Sequence, residues 1–141
     1  MGPLMIARRE DWPSRLAAAL EAARDKPFRW GEHDCGLFAG DCVLAMTGVD
    51  PVALYRGQYT DEDGARATML ALTGGGLRAV WNAALGPAMN NVRFAKRGDV
   101  VLVEVGDVEA TGIVAGSRVA CLSVAGLVMV PPHRIVAAWS V

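Results

Sequence analysis

The sequence predicts one α+β domain over residues 1–141, with helices in its first part and an antiparallel sheet in its second. A length of 141 residues suits a single average domain. Hydrophobic residues form 52% of the chain and charged residues 21%, a balance that indicates a well-filled core and excludes intrinsic disorder. Helical patterns occupy about 11–86, whereas short segments rich in Val and Ile alternate with turn residues over about 92–141.

The helices are predicted from apolar spacing and from the residues that start and stop them. Pro13 suits a first helical turn, Gly48 suits the position just after a helix, and the sequence Thr-Asp-Glu-Asp at 60–63 resembles a capping box. In the helix that ends at Gly48, Cys35 and Phe38 fall on one face, which would turn Cys35 towards the core. The predicted helices are 11–24, 33 or 34 to 48, a short segment at 51–55, 60–72 and 77–85.

The strands are predicted from β-branched residues and from recurrent turns. Neighbouring segments are separated by short turn pairs such as Gly106-Asp107 and Gly116-Ser117. Connections this short join antiparallel strands, and we expect a strongly curled, barrel-like sheet. The predicted strands are 99–105, 110–115, 117–122, 127–130 and 135–141.

Composition also limits the partners. The formal net charge is -1 and no basic run is present, so nucleic-acid binding is not supported. No apolar stretch reaches the roughly 20 residues of a membrane helix, and four charged residues at 8–11 argue against a cleaved leader. The three cysteines form no C-x-x-C pair, and metal or cofactor motifs are absent. We therefore expect no disulfide framework, no metal and no cofactor.

The segment 28–38, Phe-Arg-Trp-Gly-Glu-His-Asp-Cys-Gly-Leu-Phe, carries the strongest chemical signal. An extended lead-in, bounded by Pro27 and Gly31, delivers Cys35 into the first turn of a helix. Unpaired N–H groups and the helix dipole at such a position favour the thiolate, which is the nucleophilic form of cysteine. Cys35 is therefore a candidate nucleophile, and the alternative interpretation is a small buried core residue beside Phe38.

The residues around Cys35 also resemble a known family. Trp30-Gly31 followed by Asp-Cys-Gly-Leu-Phe at 34–38 resembles the nucleophile motif of the NlpC-type papain-like cell-wall cysteine peptidases. The segment 97–102 is similar to that family's Pro-Gly-Asp-Leu-Val strand, and 110–116 is similar to its His-Val-Gly-Ile strand. The Trp-Gly-x-His-Asp-Cys segment, with Thr-Gly-x-Asp-Pro at 47–51, is similar to small tail-tip proteins of tailed phages and prophages. The resemblance implies a papain-like fold in which Cys35 opens a central helix packed against the sheet.

Ala110 stands where the resemblance places the catalytic histidine. An alanine cannot deprotonate a thiol, so the usual Cys–His pair is missing at that position. The chain has two histidines, and both are candidates for a replacement base. The alternative for His33 is a capping or backbone-bonding role, and the alternative for His133 is an exposed turn. We expect neither histidine to hydrogen-bond to Cys35, and we expect Ala110 to face it.

Three further residues complete the candidate site. Asp34 is expected to cap the second helix or to orient a neighbour. Trp30 and Thr111, together with Ala110, are expected to line any groove beside Cys35. Core packing and strand propensity are the alternative explanations for Trp30 and Thr111.

The resemblance implies two functions from different classes. One is a structural subunit of a phage tail tip, at the baseplate or hub, made in the host cytoplasm and built into the virion beside other tail-tip proteins. Such a subunit would be catalytically impaired because of Ala110. The alternative is an active cysteine peptidase or amidase that cleaves peptidoglycan with Cys35 during cell-wall penetration, and a weaker hypothesis is a stand-alone bacterial thiol enzyme. The missing histidine favours the first, and the apolar composition agrees with a surface that neighbours partly cover.

Overall fold

The computed structural model of the chain describes residues 6–141 and confirms the α+β class. The four α-helices are α1 (Trp12–Arg24), α2 (Cys35–Thr47), α3 (Glu62–Thr73) and α4 (Leu77–Leu85). The five strands are β1 (Val100–Val105), β2 (Val108–Val114), β3 (Val119–Ser123), β4 (Gly126–Val130) and β5 (Ile135–Trp139). Short 3-10 helices lie at Ala53–Tyr55, Val92–Phe94 and Pro132–Arg134. No helix within 6–141 is long and apolar enough to cross a membrane. Residues 1–5 lie outside the described range. The prediction that a cleaved leader is absent also concerns these residues.

The sheet is open, which corrects the expected barrel-like closure. Its strand order is β4-β3-β2-β1-β5, and every neighbouring pair is antiparallel. β4 and β5 therefore form two separate edges. β2 and β3 share only the pairs Ile113–Ala120 and Val114–Val119. Beyond these pairs β2 and β3 separate, and the edge strands β4 and β5 do not pair with each other.

α2 is the central helix of the fold. It packs against α1 on one side and against β2 and β3 on the other. Seven of its thirteen residues are buried, so burial extends round the helix rather than along the single face predicted for Cys35 and Phe38. A Cβ at Gly40 would overlap Cγ2 of Val52, so the loop after α2 approaches the helix too closely for any other residue type.

The segment 47–51 ends α2 and fixes the loop that follows. Gly48 has a φ of 80° and closes the last helical turn, as predicted. Oδ1 of Asp50 accepts a hydrogen bond from the Val52 N–H at 3.1 Å. Oδ2 of the same carboxylate pairs with Nε of Arg56 at 2.6 Å. The Thr-Gly-x-Asp-Pro pattern is thus explained by helix termination and by anchoring of the next turn.

Asp99 is fully buried just before β1 and anchors that strand. Its Oδ1 accepts from the Arg8 guanidinium at 3.0 Å and from the Val141 N–H at 3.1 Å, while Oδ2 accepts from the Lys96 N–H at 2.8 Å. The Asp of the Arg-Gly-Asp pattern at 97–99 therefore joins β1 to the segments near residues 8 and 141. The predicted strand began at Asp99, but β1 begins one residue later, at Val100.

Two local predictions are wrong. The lead-in to α2 is not extended, because Arg29 and His33 exchange two backbone hydrogen bonds of 2.8 Å and fold it into a tight loop. The N-cap of α3 is Asp61 rather than Thr60. Oδ1 of Asp61 accepts from the Gly64 N–H at 2.7 Å, and a carboxylate at this position also suits the positive end of the helix dipole.

Candidate functional site

Asp34 forms the polar centre at the start of α2. Its Oδ1 accepts from the Leu37 N–H at 3.0 Å and so caps the helix. Its Oδ2 accepts from the Gly31 N–H at 3.1 Å and from the Tyr59 hydroxyl at 2.6 Å. Asp34 is only 3% exposed. Three donors therefore satisfy a buried carboxylate, which is the condition under which such a group is tolerated in a core.

The tight loop before α2 depends on Gly31. This residue has a φ of 81°, and a Cβ there would overlap the carbonyl oxygen of Tyr59, so only glycine fits. Trp30, next to it, is partly exposed and meets Phe28 edge-on, with ring centroids 4.9 Å apart. The reversal of the chain at Gly31 places Trp30 on the wall of the cleft that contains Cys35.

A cleft of about 770 Å³ opens beside Cys35, between the helical part and the sheet. Trp30 and Trp81 contribute to its helical wall, and Ala110 and Cys121 contribute to its sheet wall. Cys35 itself is partly exposed. The structure thus brings four of the predicted site residues to one cleft: Trp30, Asp34, Cys35 and Ala110.

β2 and β3 separate next to Cys35. Beyond their two shared pairs, β2 continues alongside β1 as far as the pair Val105–Val108. At this fork the backbone N–H of Thr111 faces the Cys35 sulfur. Cys35, in the first turn of α2, therefore lies next to this fork.

The surroundings of Cys35 keep its thiol protonated. Burial raises the pKa of the Cys35 thiol to about 11, and the neighbouring Asp34 carboxylate adds to the rise. The N–H of Thr111 and the N–H groups at the helix start lower the pKa without cancelling the effect of burial. Because the pKa lies far above 7, the nucleophilic thiolate is a very small fraction of Cys35 at neutral pH.

Both histidines lie outside the cleft. His33 is buried, its Nδ1 lies 3.2 Å from the Pro27 carbonyl oxygen, and its ring meets Phe38 edge-on. His133 is exposed in the 3-10 helix before β5 and lines a second cavity of about 270 Å³ with Glu104. Neither residue is part of the wall around Cys35. The alternatives stated above therefore describe both positions. His33 contacts the backbone, and His133 lies in an exposed turn.

Three residues of the site were not predicted. Tyr59, in the loop before α3, donates a hydrogen bond from its hydroxyl to the capping residue Asp34. Trp81 on α4 donates its Nε1–H to the hydroxyl oxygen of Thr111 at 3.1 Å, so Thr111 lies in the core and not on the groove wall expected for it. Cys121 on β3 lines the cleft, where burial and, to a smaller extent, Cys35 raise the pKa of its thiol to about 12. The only sequence signal among these is the indole N–H of a buried tryptophan, which requires an acceptor.

Groups that could hold a metal ion are scarce in this fold. Among residues 6–141, no three His, Cys, Asp or Glu side chains lie close enough together to form such a site. The cleft therefore offers the thiols of Cys35 and Cys121, the capped carboxylate of Asp34 and a largely apolar wall, with further carboxylates at its edge.

A family model covers nearly all of the described residues. The family described as Domain of unknown function (DUF6950) matches residues 7–141, and the chain belongs to this family. No curated protein matches the chain.

Proposed function

We propose that this chain is a structural subunit of a phage tail tip with an NlpC-type, papain-like fold, and that its Cys35 site does not catalyse hydrolysis. Two features support the fold. Cys35 opens the central helix, and that helix packs against an antiparallel sheet that follows it in the chain. The place in the virion, among other tail-tip proteins, is proposed from the resemblance at 28–51 and 97–116.

The observation that carries the proposal is the lack of an imidazole beside Cys35. Ala110 lines the cleft at the position where the resemblance places a histidine, and both His33 and His133 lie elsewhere. Base-assisted attack needs a proton acceptor within hydrogen-bond reach of the thiol. With burial raising the pKa of Cys35 to about 11, the thiol does not ionise by itself at neutral pH either.

One observation favours the alternative, an active peptidoglycan-cleaving peptidase or amidase. Cys35 is partly exposed to an open cleft at a helix N-terminus, and the Thr111 N–H faces its sulfur. Such N–H groups stabilise negative charge on a nucleophile or on a reaction intermediate. Under this alternative, a base from outside the wall described above would have to reach the thiol.

The deciding experiment compares wild type with Cys35→Ala, which removes little more than one sulfur atom. Purified wild-type protein should release no more soluble fragments from peptidoglycan than the variant does. Virions that carry Cys35→Ala should assemble and infect normally. The alternative is correct if wild-type protein cleaves peptidoglycan, the variant does not, and variant virions fail to deliver DNA through an intact cell wall.

A gain-of-function variant tests whether Ala110 is the missing part. Ala110→His would place an imidazole on the cleft wall, and we expect alkylation of Cys35 by iodoacetamide at neutral pH to accelerate about tenfold or more, since each unit of pKa lowered raises the thiolate fraction tenfold. Ala110→Asn, which adds a side chain of similar polarity without a base, is the matched control. Equal rates for the two variants would refute the assignment of the defect to Ala110.

A further inference from the structure

The cleft contains a strand edge that lacks a partner among residues 6–141. β2 pairs with β1 from Val108 to Ile113, but it pairs with β3 only at Ile113 and Val114. The segment 108–111 of β2 therefore has a strand on one side only. An unpaired edge of this kind is a template for an added strand.

Alternate backbone groups on this edge point away from β1. The N–H of Thr111 faces the Cys35 sulfur, on the side of β2 away from β1. Because the direction of backbone N–H and C=O groups alternates along a strand, those of Glu109, two residues earlier, face the same side. A strand laid along β2 could therefore exchange hydrogen bonds with Glu109.

The mouth of the cleft is apolar. Val108 on the free edge is 65% exposed, Val105 on β1 is 51% exposed, and Val124 after β3 is 77% exposed. All three line the cleft. Aliphatic side chains on an added strand would cover this exposed apolar surface.

The same mouth carries excess negative charge. Asp107 and Glu109 line the cleft, and neither forms an ion pair with any residue of 6–141. Glu104 lies directly opposite Glu109 across the β1–β2 pair, but it lines the second cavity together with Arg134, so Asp107 and Glu109 are the source of the negative charge at this mouth. The one basic side chain on the cleft wall, Arg66, is already paired with Glu62 and Asp63.

We propose that the cleft binds an extended segment of a partner protein, which adds to the free edge of β2 and alternates aliphatic residues with Lys or Arg. The edge supplies backbone hydrogen bonds, the valines receive the aliphatic side chains, and the carboxylates of Asp107 and Glu109 select basic residues. The inference rests on the proposed function, because it names the surface by which a tail-tip subunit would hold a neighbouring tail protein.

The test uses fluorescence anisotropy with two synthetic peptides, fluorescein-labelled Thr-Val-Lys-Val-Lys-Val-Thr and its analogue with Glu for Lys. We expect the Lys peptide to bind about tenfold or more tightly than the Glu peptide. Glu109→Lys should reverse this preference, whereas Asp25→Lys, the same charge change at the end of α1, should leave it unaltered. Glu109→Pro should weaken binding about tenfold, because it removes the N–H of the free edge while sparing the side that faces β1.

Three results of these binding assays would overturn the inference. They are equal affinity for the two peptides, no binding up to about 1 mM, and unchanged binding to a Glu109→Pro variant that unfolds at the wild-type temperature. Displacement of the Lys peptide by soluble peptidoglycan fragments at lower concentration than by unlabelled peptide would also overturn it, because the cleft would then be a cell-wall site.

The inference and the proposed function can fail separately. If no peptide binds while Cys35→Ala virions infect normally, the strand-binding surface is wrong and the structural role stands. If the Lys peptide binds while peptidoglycan is cleaved in a Cys35-dependent reaction, the non-hydrolytic function is wrong and the binding surface stands.

Discussion

The helices α2 and α3 begin in the same way but in different surroundings. Each is capped by an aspartate whose Oδ1 accepts a hydrogen bond from the N–H three residues later, at 3.0 Å for Asp34 and 2.7 Å for Asp61. Asp61 lies at the surface, where water can replace a lost cap. Asp34 is buried and also receives hydrogen bonds from Gly31 and Tyr59.

The same capping residue therefore has different consequences at the two helices. At α3 the carboxylate only starts a helix. At α2 the same residue type joins the helix to two loops, and its negative charge helps to raise the pKa of the adjacent Cys35 thiol. Asp34 therefore builds the site and at the same time opposes formation of the nucleophile within it.

The largest expected effect is on stability. Asp34→Ala should lower the free energy of unfolding by about 3–4 kcal/mol, because it leaves two buried N–H groups and the half-buried Tyr59 hydroxyl without their acceptor. Asp61→Ala should cost about 1 kcal/mol, the usual value for an exposed cap. Urea denaturation of both variants measures the two values. Equal losses would mean that the surroundings of Asp34 add nothing to its capping role.

A smaller effect is expected from the donor to Asp34. Tyr59→Phe should cost about 1–2 kcal/mol, because it removes a hydrogen bond to a buried charged group and leaves the cap and the Gly31 N–H in place. Tyr55→Phe is the matched control, since Tyr55 lines the same cleft and its hydroxyl makes no hydrogen bond to residues 6–141. A loss as large for Tyr55→Phe would assign the effect to packing in the cleft instead.

The start of α2 was predictable because its signals are local. Asp34 as a cap, Cys35 in the first turn and Gly48 just beyond the last all follow from residue types at fixed offsets. The order of helices and strands was predictable for the same reason. The extended lead-in was wrong because the prediction weighed Pro27 and overlooked that Gly31 can reverse the chain with a positive φ.

The rest of the site depends on contacts between distant segments. Tyr59 reaches Asp34 across 25 residues, and Trp81 reaches Thr111 across 30. The short ladder of two pairs between β2 and β3 is likewise a contact between strands, which the sequence shows only as separate segments. No periodicity within a single element reports such contacts, so of the cleft wall the sequence predicted only the start of α2, Trp30 and Ala110.

The smallest expected effect tests whether the negative charge of Asp34 acts on the Cys35 thiol. Since the pKa of the Cys35 thiol is about 11, its alkylation by iodoacetamide should accelerate about tenfold per pH unit between about pH 7 and 10, because the thiolate is the reacting form. Asp34→Asn keeps a good N-cap and removes the negative charge that helps to raise this pKa. The pKa should therefore fall, and the rate at neutral pH should rise about two- to fivefold.

Asp61→Asn is the control for this prediction, because it makes the same change at the cap of α3, which is not among the groups that shift the pKa of Cys35. Its alkylation profile should overlay that of wild type. Burial is the largest cause of the raised pKa and is untouched by Asp34→Asn, so the gain in rate should stay modest. A slower reaction in Asp34→Asn, or one that matches Asp61→Asn at every pH, would mean that the charge of Asp34 does not act on Cys35 and that burial alone holds the proton on the thiol.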